Sequence, residues 1–182
     1  MSDKKHKGQE LISDEMFNHH LENAVAMAKT LAEGEESLMP HLILLLPDEE
    51  DGCTITLLAL DVEFDASSKY QVFERAGYQH TINDKTPIVA FYLIAESWLN
   101  TKPDVLPRLD PERREVVMVS GMTLDMRLNM AIIDIFRDES NHIKPGLITM
   151  LTYGDSDSGS VPNKLLMSFV RGYAMGMISS WN

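Results

Sequence analysis

The amino-acid sequence predicts an α+β fold, a single domain in which a mixed, mostly antiparallel sheet of five to six strands is flanked by N-terminal and C-terminal helices. Three observations carry that expectation. Apolar residues recur at three-and-four spacing near both ends of the chain. Between them lie short β-favouring apolar runs separated by turn-forming clusters. No repeat or composition shift divides the 182 residues, and at this length about 70% of the unfolded surface can be buried in one core.

Residues 1–12 read as a solvated tail and 13–182 as the domain. Ser13 followed by Asp14 and Glu15 has the form of a helix N-cap with acidic residues in the first turn, where the backbone N–H groups favour negative charge. Phe17, Leu21, Ala24, Val25, Ala28, Leu31 and Ala32 make its apolar stripe, and Gly34 supplies the stop. His41–Leu46, the polar turn Asp48–Gly52 and Cys53–Asp61 then read as an antiparallel hairpin. Asp65 to Ser68 can cap a second helix carrying Tyr70, Phe73 and Ala76, expected to end near Gly77.

Pro87 introduces Ile88–Ala95, which is apolar on both alternating faces and therefore belongs in the centre of a sheet covered on both sides. Pro103, Pro107 and Pro111 make the stretch from Asn100 to Glu112 a surface loop. Glu115–Met122 and Met126–Arg137 form a second hairpin turning at Thr123–Asp125. Met126, Leu128, Met130 and Ile132 share one face of its second arm, and the opposite face, with Arg127 and Asn129, is assigned to water. Leu147–Tyr153 adds one more strand. Pro162 suits the first turn of a C-terminal helix whose stripe is Leu165, Leu166, Phe169, Val170, Tyr173 and Met177.

Sixteen Lys and Arg against 28 Asp and Glu give a net charge of −12. Phosphate-rich polymers and anionic lipid surfaces are repelled by that balance, and the pair Arg113–Arg114 is neutralised by Glu112 and Glu115. Nucleic acid and membrane are thus not expected partners. The basic start of the chain has no apolar segment behind it to make a secretory signal, and Ile88–Ala95 is far too short to span a bilayer. The single cysteine, Cys53, excludes an internal disulfide and multi-cysteine metal sites, so the expected location is the cytoplasm.

Few residues point to chemistry. The loop Gly154–Ser160 precedes a helix as a phosphate cradle would, but Ser160 stands where a Walker lysine is needed. Asp155, Asp157 and Gly159 imitate the start of a calcium loop, but Leu166 replaces its closing glutamate, so the segment reads as a solvated turn. Asp61, Glu63 and Asp65 alternate and would present oxygen ligands to one side of an extended segment, with Asp134 as a fourth; the ordinary reading is strand-end carboxylates and a helix cap. Glu96 shares strand parity with Tyr92 and Trp98 at the end of the most apolar strand, which makes these three the candidate binding residues. The competing reading pairs Glu96 with Arg127 or Arg137 on the rim.

His19 and His20 lack an i+4 partner for a helical zinc pair, and Cys53 reads as a small buried hydrophobe. Gly172 and Gly176 imply close packing along the last helix, which adds Met167, Met175, Met177 and the nearby Trp181 as adaptable apolar surface. The function expected is therefore a non-catalytic protein-interaction or oligomeric binding module, its partner a second copy or another protein. No cofactor and no catalytic residue is assigned, and a small-molecule ligand stays compatible with the pattern. The alternative is a small-molecule or divalent-metal-dependent hydrolase, which requires Asp61, Glu63, Glu96 and Asp134 to converge.

Overall fold

The elements of the computed structural model, which describes residues 12–47, 53–60, 68–83, 86–99, 109–152 and 164–180, run in the order α1 (Asp14–Ala32), β1 (His41–Pro47), β2 (Cys53–Ala59), α2 (Ser68–Asn83), β3 (Ala90–Leu99), β4 (Arg114–Thr123), β5 (Leu128–Arg137), β6 (Ile143–Leu151) and α3 (Lys164–Ser180). The strands form one sheet in the order β2-β1-β3-β4-β5-β6. Every neighbouring pair is antiparallel, so the expected mixture of directions is absent from the ladder. β2 and β3 run the same way but are separated by β1, which pairs with both.

The first helix forms as its sequence predicts. Ser13 Oγ accepts the Met16 N–H at 3.1 Å, and Gly34 adopts the left-handed φ of 83° that ends it. The predicted central strand begins two residues later than expected and runs four further, to Leu99, while Ile88 and Val89 remain buried ahead of it. β6 also starts earlier than the apolar run from Leu147 suggests, since its pairing passes through Pro145 with a register irregularity opposite Ile133 and Ile135. The Gly154–Ser160 loop, Asp61, Glu63, Asp65, Trp181 and most of the Pro-containing stretch lie outside the described residues.

Two helical layers cover opposite faces of the sheet. α1 lies across β3, β4, β5 and β6, burying Phe17, Leu21, Val25 and Ala28 against Tyr92, Ile94, Val117, Val119, Ala131 and Ile133. On the other face α2 and α3 place Phe73, Leu166, Phe169 and Tyr173 on Leu42, Leu44, Phe91, Leu93 and Met122. The alternation of β3 feeds both cores, which is why it has no polar face along Ala90–Ile94.

α2 does not stop near Gly77 but continues to Asn83. Gly77 is a packing position rather than a terminus: a Cβ there would fall inside van der Waals contact with the carbonyl of Phe169. Gly172 meets the Glu74 carbonyl and Gly176 meets Thr81 in the same way. These glycines bring the backbones of α2 and α3 together, so the close packing implied by Gly172 and Gly176 is against another helix. Thr81 Oγ1 completes the seam by bonding the Gly77 and Tyr173 carbonyls at 3.1 and 3.2 Å.

The face of β5 assigned to water is the buried one. Arg127 and Asn129 are 6% and 4% exposed, because α1 lies over them, whereas Met130 and Ile132 are half-exposed on the side where α2 and α3 do not reach. Cys53, expected to be buried, is half-buried on the edge strand.

Substituting Gly172→Ala should destabilise the protein by about 2–4 kcal/mol, because overpacking against helix backbone outweighs the ~1 kcal/mol gain in helix propensity. Urea unfolding measures it; an unchanged or raised midpoint would show that the two helices can separate without loss.

Candidate functional site

The three residues singled out in the sequence sit on one face of β3, the face toward α1, but they have separate surroundings. Tyr92 is fully buried and its ring lies 5.7 Å from that of Phe17. Its hydroxyl donates to the Phe17 carbonyl at 2.5 Å, and Asn129 Nδ2 donates to the same carbonyl at 3.2 Å. Gly121 lies between them in the register, and a Cβ there would collide with Asn129 Oδ1 and the Tyr92 ring. Tyr92 is thus a strut under the end of the first turn of α1.

Glu96 is half-buried and accepts the Leu38 N–H at 2.6 Å. Its other oxygen is 3.7 Å from Arg137 Nη2, so the rim pairing weighed in the sequence is realised with Arg137 rather than Arg127. Arg137 forms a two-pronged bond to Glu115, both prongs at 2.9 Å, and donates to the Glu36 and Asn141 carbonyls at 2.6 and 3.1 Å. The carboxylate and guanidinium together pin the connection from α1 to β1. Trp98 lies further along the strand, largely exposed, with the Arg113 guanidinium 4.3 Å from its ring centre.

Glu96 and Asp134 do not meet. Glu96 is opposite Val117, whose side chain joins the core under α1, whereas Asp134 is opposite Val116 and points to the other face. Asp134 is held there by Arg114 at 2.9 and 3.1 Å. Among the described residues no three His, Cys, Asp or Glu side chains stand close enough to share a metal ion. His19 pairs with Glu22 at 3.7 Å on the exposed side of α1, and the partly buried His20 is held below its ordinary pKa by burial and by His19.

Sequence reasoning missed two features. The first is the clamp around Arg127, which donates to Asp14 at 2.6 Å, to the Ile12 carbonyl at 2.7 Å and to both oxygens of Asp125. Burial opposes the charge of Asp125, but the Thr123 hydroxyl and Arg127 outweigh it and hold the carboxyl below its ordinary range. The clamp ties the first turn of α1 to the β4–β5 turn; an arginine alternating with apolar residues was its one sequence signal. The second is a groove of about 470 Å³ on the outer side of the α2–α3 seam, lined by Gln71, Glu74, Arg75, Tyr78, Gly172 and Met175. Glycine at its floor was legible; the pairing of the two helices was not.

Glu96→Ala should lower stability by about 1–2 kcal/mol through the orphaned Leu38 N–H, with Glu96→Gln recovering most of it. A urea titration showing no loss for the alanine variant would leave Glu96 available for another role. Burial raises the Tyr92 phenol above its ordinary pKa, so the folded chain keeps a proton that the unfolded chain releases. The resulting stability is fully present below about pH 10 and is lost as pH rises beyond it. Tyr92→Phe should therefore cost about 1 kcal/mol at neutral pH and flatten the alkaline fall, which paired denaturation curves across that range will test. No protein-family model, curated protein sequence or solved structure matches the chain.

Proposed function

We propose that this chain is a non-catalytic protein-interaction module that self-associates through the outer side of α3. The supporting observation is the exposure of Met167, Met175 and Ile178 on one stripe of that helix, Met175 at 47% and Ile178 at 68%. The inner side of α3 is consumed by Leu166, Phe169 and Tyr173 in the core and by Gly172 and Gly176 on α2. Exposed methionine and isoleucine on one helix are adaptable apolar surface, the kind that association removes from water.

Charge supports the choice of a second copy as partner. α3 carries Lys164 and Arg171 and no acidic residue, in a chain of net charge −12. Two copies meeting along this helix bring no acidic residue of α3 against another.

Light scattering after size exclusion should give a mass near twice the 20.5 kDa of the chain at micromolar concentration. The double substitution Met175→Glu and Ile178→Glu should return it to the monomer without lowering its melting temperature, since both side chains are exposed. A wild-type monomer at every concentration tested refutes this reading.

A further inference from the structure

Arg75 has no counter-charge of its own. On α2 the positions that face it, three and four residues away, are Gln71, Val72, Tyr78 and Gln79, and α3 across the seam carries no acid. The adjacent Glu74 is engaged from α3 by Arg171 at 4.0 Å. Arg75 itself is exposed, and among the described residues it makes no hydrogen bond, ion pair or ring contact.

This cation stands on the wall of the groove of about 470 Å³ along the α2–α3 seam. Gln71, Glu74, Arg75 and Tyr78 form that wall because they fall at i, i+3, i+4 and i+7, one stripe of α2. Gly172 and Met175 supply the α3 side. The missing side chain of Gly172 lets the helix backbones touch at the Glu74 carbonyl and leaves the floor of the groove bare.

The volume falls within the roughly 300–1,000 Å³ of pockets that hold small molecules. Its lining complements two kinds of group. The Tyr78 ring and the Met175 thioether suit a flat apolar body, since aromatic rings stack on one another and attract sulfur at their edges. The guanidinium fork of Arg75 matches a carboxylate. Charge limits the ligand further. Arg171 offsets Glu74 and leaves Arg75 over, so the groove answers one negative charge, while the net charge of −12 opposes a polyanion.

We infer that the groove binds a small aromatic monocarboxylate, with its ring over Gly172 between Tyr78 and Met175 and its carboxylate on Arg75. Met175 is shared with the stripe proposed for self-association, but the groove lies within one chain and its ligand does not depend on a second copy.

The probe is 2-naphthoate, with neutral 2-naphthamide and cationic 2-naphthylmethylamine as controls carrying the same ring. Followed by amide NMR shifts at neutral pH, naphthoate should bind about fivefold or more tightly than naphthamide, and naphthylmethylamine more weakly than either. Shifts should centre on Gly172 and the α2 stripe, and added salt should weaken the acid alone. Arg75→Gln should bring the acid to the affinity of the amide without lowering the melting temperature, since the side chain is exposed, and Arg75→Lys should recover part of the difference. Ile178→Glu leaves the groove intact and separates this inference from self-association: if two copies cover Met175 and the native chain fails to bind, this variant binds. Equal affinity for acid and amide, binding to neither chain, shifts remote from the groove, or an Arg75→Gln variant that binds like the native chain would overturn the inference.

Discussion

The architecture depends on β3 being buried from both sides by helices that do not cover the same strands. Tyr92 and Ile94 face α1, while Phe91 and Leu93 face the α2–α3 pair. A strand apolar on both faces is stable only if both layers dock, so each layer stabilises the site on which the other depends. The docking is specific on both sides. Under α1, Tyr92 and Asn129 converge on one carbonyl, that of Phe17. On the other face, α2 and α3 act as one slab because Gly77, Gly172 and Gly176 let their backbones touch.

The offset of these layers explains where apolar surface remains. Among the described residues, α1 reaches from β3 to β6 and not over the exposed Ile55 and Leu57 of β2, whereas the α2–α3 slab sits over β1 and β3 and not over Met130, Ile132 and Leu151 of the far strands. The exposed side chains on β2, β5 and β6 therefore follow from one geometric fact, that three helices cannot blanket both faces of six strands. Most of that surface is tolerable as scattered side chains.

Much of the fold was legible in the residues because period and punctuation agreed. Ser13 and Gly34 bracket a continuous stripe and α1 forms between them; Ile88–Ala95 lacks a polar face and lies inside the sheet. The failures share a cause, which is that a residue's local preference was overridden by a distant partner. Gly77 looks like a helix end until α3 packs on it, and Arg127 and Asn129 look solvent-facing until α1 supplies a carboxylate and a backbone carbonyl. Of the candidate site, the shared parity of Tyr92, Glu96 and Trp98 was readable, but not that α1 seals the first and the α1–β1 connection engages the second. Period 2 fixes the face of a side chain and says nothing about what lies over it.

Several polar residues fasten chain segments that hydrophobic burial alone would leave loose. Arg127 fixes the start of α1, Glu96 and Arg137 fix the segment that leaves it, and Gly34 and Glu35 from that segment cap the β6 edge at Ile143. One helix and its exit are thereby stitched to three strands, and the outward backbone groups of Ile143 are bonded in passing. Buried or half-buried charges are retained where each is met by several donors or acceptors, as here, because an unmet one would be costly. The sheet edge next to the charged fastenings is thereby blunted at Ile143.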